Sequence, residues 1–328
     1  MAVLVVGGAG YIGSHMVASL VDSGTETVVL DNLVNGHKKA VWPGAKFYEG
    51  NMQDMGVLDK IFTENNISTV VHFAAYTVVP ESVQNPAMYY DNNVMGTFAL
   101  LQGMLKHGVK NIVFSSTAAV YGMPETVPVT EDFPEKPINP YGESKLAVER
   151  MLKWFGQAYN IKYVVLRYFN VAGAHESGLI GECHRPETHL IPAVLQTAQG
   201  KNNQFNIYGS DYPTPDGTCI RDYVHVMDLV DAHNLCIKSL ESDGKSTTYN
   251  LSSGNGFSNK EIVDAAKKVT GIDFAVNICE RRPGDPPTLI ASSEKIKREL
   301  GWNPARTNIE TIISTAWAWH SGERNGEF

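Results

Sequence analysis

Ala2-Val3-Leu4-Val5-Val6-Gly7-Gly8-Ala9-Gly10-Tyr11-Ile12-Gly13, followed by a helical pattern and then by Val28-Val29-Leu30-Asp31, is the stretch that decides the fold. The run Val3 to Val6 carries no polar alternation, as expected of a parallel strand covered on both faces. Gly7, Gly10 and Gly13 fall three apart where strand gives way to helix. Glycine there permits the tight turn, lets the backbone approach a pyrophosphate, and lets the helix pack closely on the strand. The helix N-terminus adds free N–H groups and the positive end of its dipole. Asp31 ends the second strand, roughly 20 residues on, where a carboxylate can hold a ribose 2′-hydroxyl. No lysine or arginine follows Asp31 until Lys38, so NAD is expected rather than its 2′-phosphorylated relative.

The chain has 328 residues, enough for one large or two modest domains. A net charge of −8 argues against a nucleic-acid surface and against attraction to anionic lipid. Any bound phosphate must then be met by local arginines and backbone amides. Cys183, Cys219, Cys236 and Cys279 are widely spaced and form no Cys-x-x-Cys pair, so reduced thiols are expected, with neither a disulfide frame nor a metal site. Gly7 and Gly8 interrupt the opening apolar run, and no stretch reaches membrane-spanning length. The expectation is a cytoplasmic enzyme without nucleic-acid or membrane partners.

Strand and helix signals alternate along the chain, which predicts an α/β fold: a Rossmann-type doubly wound parallel sheet with a smaller α+β substrate-binding domain. Further strands are expected at 46–48, 69–73, 111–115 and 163–167, and helices at 57–64, 89–106 and 141–159. Asn92 and Asn93 sit inside the 89–106 helix, against helix propensity, so a polar task is expected of at least one. The proline-rich and acidic segment 123–140 reads as a long functional loop. The sheet is expected to close near Asn170, giving a nucleotide-binding part at 1–170 and a mainly substrate-binding part at 171–328, with some segments crossing back. Beyond Asn170 the expected strands are 204–208 and 248–251, and the expected helices 191–199, 226–240, 259–270, 293–300 and 309–319.

Tyr141 and Lys145 are four apart at a helix start and share a face. A nearby ammonium lowers a phenol's pKa, and a phenolate beside a nicotinamide can take the proton of a secondary alcohol while hydride leaves to the ring. Thr117, just past a strand end in Ser115-Ser116-Thr117, is placed to share that proton.

Gly7-x-x-Gly-x-x-Gly, Ser115-Ser116-Thr117, Tyr141-x-x-x-Lys145 and Arg167-Tyr168-Phe169-Asn170 resemble the extended short-chain dehydrogenase/reductase superfamily. Within it the chain is similar, nearly end to end, to the UDP-galactose 4-epimerase family. The discriminating pieces are Gly7 to His15, His72-Phe73-Ala74-Ala75, Tyr90-Asp91-Asn92-Asn93 and Asp216 to His225. The resemblance implies tightly held NAD, a UDP-hexose substrate, oxidation at the sugar's carbon 4, and return of the hydride to the other face. It implies Tyr141 as base, Lys145 on the nicotinamide ribose, and Thr117 beside the 4-hydroxyl. Gly7, Gly10, Tyr11, Ile12 and Gly13 would line the pyrophosphate, and Asp31, Asn32 and Asn35 the adenosine ribose. Asn51 and Met52 would meet the adenine; Phe73, Ala74, Ala75, Thr77, Asn92 and Phe169 would touch the cofactor further along. Asn170, His189, Leu190, Tyr208, Arg221, Arg282, Asp285 and Leu289 would hold the UDP-sugar. Planar, permanently charged arginines suit a pyrophosphate in an acidic protein.

The chain departs from relatives at several of these positions. Asn51 stands for an aspartate, although its amide oxygen still accepts a hydrogen bond. Thr77 and Pro80 replace residues usual after His-Phe-Ala, and His189 replaces an asparagine. Leu289 stands where relatives carry tyrosine or a small residue, which would leave room for N-acetylated UDP-sugars. His184 and His189 do not match His-Glu-x-x-His and read as a polar loop edge, and Trp317 and Trp319 read as packing residues. A homodimer through the 89–106 and 143–159 helices is implied by the resemblance. Another nucleotide-sugar epimerase or dehydratase, and a non-catalytic NAD sensor, are the alternative readings.

Overall fold

The computed structural model describes residues 1–282 and 285–328. Its centre is an all-parallel sheet of β1 (Ala2–Val6), β2 (Thr27–Asp31), β3 (Lys46–Glu49), β4 (Ile67–His72), β5 (Asn111–Ser115), β6 (Lys162–Tyr168) and a seventh strand, Thr247–Leu251. The spatial order is β3-β2-β1-β4-β5-β6 followed by the seventh strand. Chain direction across the sheet reverses between β1 and β4, and in such sheets ligands lie at that switch point, beyond the carboxyl ends of the strands.

One face is covered by α1 (Tyr11–Asp22) and the other by α2 (Met55–Glu64), α5 (Gly96–Lys106) and α6 (Pro140–Tyr159), with the short α3 (Val79–Gln84) and α4 (Pro86–Tyr89) packed on α6. The sheet's side chains divide between the two cores by alternation: Val3 and Val5 join the α1 side, Ala2, Leu4 and Val6 the other.

The expected 89–106 helix is broken. Residues Tyr90–Met95 form a π turn between α4 and α5, and the buried Asn93 carries the polar task. Its amide oxygen accepts the Tyr76 N–H at 2.9 Å, and its amide nitrogen donates to the Tyr76 carbonyl at 3.1 Å and to Ser144 Oγ at 3.0 Å. The loop after β4 is thereby stapled to α6. Asn92 only donates to Asn93, at 3.0 Å.

The remaining elements are β7 (Asn170–Ala172), α7 (Leu190–Ala198), β8 (Phe205–Tyr208), β9 (Ile220–His225), α8 (Val226–Glu241), β10 (the seventh strand, Thr247–Leu251), β11 (Gly256–Ser258), α9 (Asn259–Thr270), β12 (Val276–Cys279), β13 (Thr288–Leu289), α10 (Glu294–Leu300) and α11 (Ile309–Ser321). β9 pairs with β7, β11 and β13, and β8 pairs with β12. Helices α7, α9 and α11 enclose a third core around Val194, Ile262 and Ile312. The partly buried Trp317 packs against this core, and the buried Trp319 packs instead on Gly181 and Phe328.

The first sheet does not close near Asn170. β10 pairs in parallel with β6, Thr247 opposite Val164 through Leu251 opposite Tyr168, and Leu229, Val230 and Ile237 of α8 fill the core beside α1. An unpartnered β6 would leave a row of backbone donors and acceptors open, and the returning strand satisfies them. Five residues with strand composition announce a strand without announcing its partner. The 123–140 loop is likewise tied down: Val129 donates to the Ile290 carbonyl at 2.9 Å and accepts from the Ser292 N–H at 2.8 Å. No helix among the described residues is long and apolar enough to cross a membrane.

A fragment of residues 1–170 lacks β10 and α8, and so exposes the β6 edge together with Met16, Val17 and Val164. We expect it to lose the cooperative thermal transition of the whole chain, measured by circular dichroism.

Candidate active site

The turn after β1 is a cradle built by close backbone approach. Gly7 has φ +85°, and a Cβ there would sit 2.6 Å from the Ala74 nitrogen in the turn after β4. A Cβ on Gly13 would lie 2.1 Å from the Gly7 carbonyl oxygen. Helix α1 starts at Tyr11 with Gly10 as its N-cap and no capping side chain, which leaves its first N–H groups facing the crevice. A space that side chains would fill and that backbone donors surround fits a dinucleotide pyrophosphate. Tyr11 itself faces elsewhere: its hydroxyl donates to the Gly173 carbonyl at 2.6 Å, tying the cradle to the segment after β7.

Asp31 is buried at the end of β2 and accepts two backbone N–H bonds, Ala9 on Oδ2 and Leu33 on Oδ1, each at 2.9 Å. Burial raises its pKa, against those two bonds and the nearby His37. A carboxylate has about four acceptor sites, so two remain for a ribose diol. Asn32 and Asn35 are exposed in the following loop. Asn51 is exposed and accepts the Gln53 N–H at 2.9 Å, whereas the Met52 side chain is core, pressed against Gly96. Phe73 lies against His233 of α8 with ring centroids 4.8 Å apart, Ala74 and Ala75 are half-buried beside the cradle, and Thr77 is exposed.

Thr117 caps the short turn Ala118–Tyr121, accepting the Ala119 N–H at 3.1 Å. Asn139 caps α6 by accepting the Gly142 N–H at 2.9 Å. Gly142 is forced by proximity, since a Cβ would meet the Ala119 carbonyl at 2.7 Å. That contact seats the first turn of α6 on the turn behind Thr117 and brings the Tyr141 hydroxyl to the Thr117 side chain. Tyr89 steadies the Tyr141 ring from its edge, centroids 6.5 Å apart, while the Tyr89 hydroxyl bonds the Val78 carbonyl at 2.7 Å.

One helical turn on, the buried Lys145 Nζ donates to the Ser115 carbonyl at 2.8 Å and lies 4.9 Å from the centre of the Phe114 ring. Burial lowers its pKa to about 7, opposed by the Glu149 carboxylate. The expectation that Lys145 lowers the Tyr141 pKa is corrected here. Burial raises Tyr141 above its ordinary value, and the counter-effect comes from the Thr117 hydroxyl.

Behind Lys145 lies a buried network that the sequence reading missed. Glu149 pairs with Arg167, whose Nε is 3.1 Å and 3.2 Å from the two carboxylate oxygens. Glu149 also accepts from Ser116, and Arg167 donates to Tyr121 Oη at 2.9 Å, which donates to Asn250 of β10 at 2.7 Å. The spacing Lys145-x-x-x-Glu149 was the available signal, since it puts both residues on one face of α6.

On the substrate side, Arg221 of β9 donates to the Pro286 carbonyl at 2.8 Å and is 3.5 Å from Asp285. The Arg282 guanidinium lies 3.9 Å from the centre of the Tyr208 ring. Leu289 pairs with Arg221 across β13 and β9, so these five positions share one region. Asn170 donates to the Asp222 carbonyl at 3.0 Å, and the Phe169 side chain packs with Val120 and Leu146. His189 caps α7 ahead of Leu190, and its Nδ1 is 2.5 Å from Glu182 Oε1.

Residues 3–252 match the model of the NAD dependent epimerase/dehydratase family. A UDP-glucose 4-epimerase of Streptococcus mutans is 55% identical over 328 residues, covering 99% of this chain and 98% of that protein. A crystal structure of a UDP-glucose 4-epimerase superposes with a TM-score of 0.98 at 52% identity, covering 99% of both chains. That of Bifidobacterium longum in complex with NAD+ and UDP gives a TM-score of 0.93 at 39% identity, covering 99% of this chain and 100% of that one.

Replacing Glu149 by glutamine leaves the buried Arg167 with a neutral amide and only the part-exposed Glu135, 2.5 Å from its Nη2, as a charged partner. We expect Glu149→Gln to lose about 3–5 kcal/mol of stability, the usual cost of removing one partner of a buried ion pair, measured by urea unfolding. With a cradle that fits a pyrophosphate, a tyrosine and lysine on one helix beside Thr117, and relatives alike from end to end, the chain belongs to the NAD dependent epimerase/dehydratase family.

Proposed function

We propose that the protein interconverts UDP-galactose and UDP-glucose by NAD-dependent epimerisation at carbon 4 of the hexose. The observation that carries this reading is the placing of Tyr141 and Lys145 on one face of α6, whose first turn packs at Gly142 on the turn behind Thr117, with Lys145 Nζ on the Ser115 carbonyl at the carboxyl end of β5. NAD, when bound, supplies the acceptor and later donor of hydride and, oxidised, a positive charge that favours the Tyr141 phenolate. Tyr141 Oη takes the proton of the 4-hydroxyl, and Thr117 Oγ1 bonds the same oxygen and orients it. Lys145 holds the nicotinamide ribose. After the 4-keto sugar has turned, Tyr141 returns the proton to the same oxygen.

The cradle residues Gly7, Gly10, Ile12 and Gly13 take the pyrophosphate of NAD and Asp31 its adenosine ribose. Arg221 and Arg282 face the diphosphate of UDP, with Asn170, His189, Leu190, Tyr208 and Asp285 around them. Leu289 leaves space beside the sugar that a tyrosine ring would occupy, so UDP-GlcNAc and UDP-GalNAc fit as further substrates. A 4,6-dehydratase is disfavoured because Ala118 and Ala119 follow Thr117 where such an enzyme needs an acid and a base.

The nucleotide part comprises residues 1–170 with α8 and β10 returned to it, and the rest serves the UDP-sugar. The exposed Tyr90, Met95 and Trp154 on the α5–α6 side suit a homodimer. Four free cysteines suit the reducing cytoplasm.

Purified protein given UDP-galactose without added NAD is expected to yield UDP-glucose. A 4-keto-6-deoxy product would instead identify a dehydratase, and inertness with retained NAD would identify a sensor. Tyr141→Phe is expected to keep its NAD, read from absorbance of the released cofactor, while turnover falls by about 10²–10⁴-fold. Leu289→Tyr is expected to abolish conversion of UDP-GalNAc and spare UDP-galactose, compared by product chromatography.

A further inference from the structure

The loop entering α7 gathers four side chains whose meeting point the proton chemistry at Tyr141 does not use. Glu182, His184, Glu187 and His189 each offer one ligand atom, and these atoms all lie within 4.8 Å of one another. Glu182 is 4% exposed. Its Oε1 is 3.2 Å from His184 Nδ1 and 2.5 Å from His189 Nδ1, yet neither Glu182 Oε1 nor His184 Nδ1 has a hydrogen bond of acceptable geometry. The lone-pair atoms converge without aligning on one another. The two histidines balance that buried carboxylate only when protonated, whereas a cation at the common point satisfies all four groups at once.

We propose that Glu182, His184, Glu187 and His189 form a binding site for a zinc ion. Two imidazole nitrogens and two carboxylates are a donor set suited to Zn2+, whereas Mg2+ and Ca2+ favour oxygen alone. The two carboxylates match its charge. Zinc bonds of about 2.0–2.2 Å place tetrahedral ligand atoms roughly 3.3–3.6 Å apart. The imidazole–carboxylate separations of 2.5, 3.2, 3.5 and 3.8 Å, the last two to different oxygens of Glu187, lie around that range, and with all ligand atoms within 4.8 Å of one another filling the site needs side-chain adjustment but no backbone rearrangement.

The surroundings hold the ligands in place. Glu187 Oε1 accepts the N–H groups of Thr188 and His189, both at 2.9 Å, which fixes that carboxylate. The Glu182 carbonyl accepts Trp319 Nε1 of α11 at 3.0 Å. Gly181 lies so close to that indole that a Cβ would sit 2.4 Å from it, and the Cys183 carbonyl is 3.1 Å from His37 Nε2. Supports of this kind orient metal ligands.

Four protein ligands leave no open position, which marks a structural rather than a catalytic zinc. The ion would clasp the loop and set His189, the N-cap of α7, with Nδ1 on the metal and Nε2 left free. The pattern is Glu-x-His-x-x-Glu-x-His, and its ligands meet through a loop rather than along a helix face.

The test uses the full chain stripped with a chelator, titrated with zinc against a chromophoric competitor, and analysed for metal by mass spectrometry. The site requires one zinc per chain, nitrogen and oxygen ligands at about 2.0 Å by X-ray absorption, and a melting temperature restored by zinc but not by magnesium. His184→Ala, at a half-buried position, and Glu182→Gln should each weaken zinc binding by about 100-fold or more. Cys183→Ser, whose thiol lies outside the group, should bind as the parent does. Less than one zinc per chain at micromolar free metal, equal affinity in His184→Ala, or sulfur in the absorption spectrum would each overturn the site and leave the four groups bound to one another through shared protons.

Discussion

Backbone crowding at the point where the sheet reverses is the constraint on which the rest of the molecule turns. The turn after β1 and the turn after β4 touch so closely that Gly7 has no room for a side chain, and Gly13 is pressed on Gly7 in the same way. Each missing Cβ is a place where backbone amide groups come forward in its stead. Glycine costs about 0.5–1 kcal/mol of chain entropy inside regular structure, and here that cost brings N–H donors and a helix dipole to a single point. The strands β1 and β4 are buried on both faces and cannot slide to relieve the contact without moving both cores.

Helix α6 is set against this cradle by a second close approach, at Gly142, and fixed by polar groups of two kinds along one face. Tyr141 lies by Thr117 and Lys145 donates to the Ser115 carbonyl, while Glu149 turns to Arg167 in the interior. A buried ion pair contributes little net stability once its desolvation is counted. This pair joins α6, β6 and the end of β5, and through Tyr121 and Asn250 it reaches β10. Its consequence is geometric: rotation of α6 would strand a guanidinium, so the phenol and the ammonium are held in register with Thr117.

The sequence made legible what depends on local pattern. The buried run before Gly7, the glycine spacing, Asp31 and the pair Tyr141/Lys145 are each a short-range signal, and each falls in the element where it was expected. Most helices and strands fall within a few residues of their expected bounds for the same reason. Less legible were features that depend on long-range pairing. Nothing within Thr247–Leu251 says that β6 needs a neighbour, and the extra residue of the π turn at Tyr90–Met95 is hidden in an otherwise helical pattern. The electrostatic expectation at Tyr141 failed because spacing shows that a lysine shares a face, but not how deeply the phenol is buried. Asp222 was quoted only as part of a motif, yet it is a buried hub.

That hub explains why the two halves of the chain work as one. In β9 successive side chains face opposite ways, so Arg221 and Asp222 divide two tasks between neighbouring positions. Arg221 reaches the Pro286 carbonyl and Asp285, in the region expected to meet the diphosphate. Asp222, on the other face, accepts from the N–H groups of Ser253 and Ala291, both at 3.1 Å, and from the Ser252 and Ser253 hydroxyls. Ser252 follows β10, the strand that completes the first sheet, and Ala291 follows β13, the strand that carries Leu289. A single buried carboxylate therefore fixes the arginine's strand to the seventh strand of the first sheet and to the segment after β13. The placing of Arg221 relative to α6 is thus carried by hydrogen bonds through the interior, without reliance on a flexible linker between separate parts.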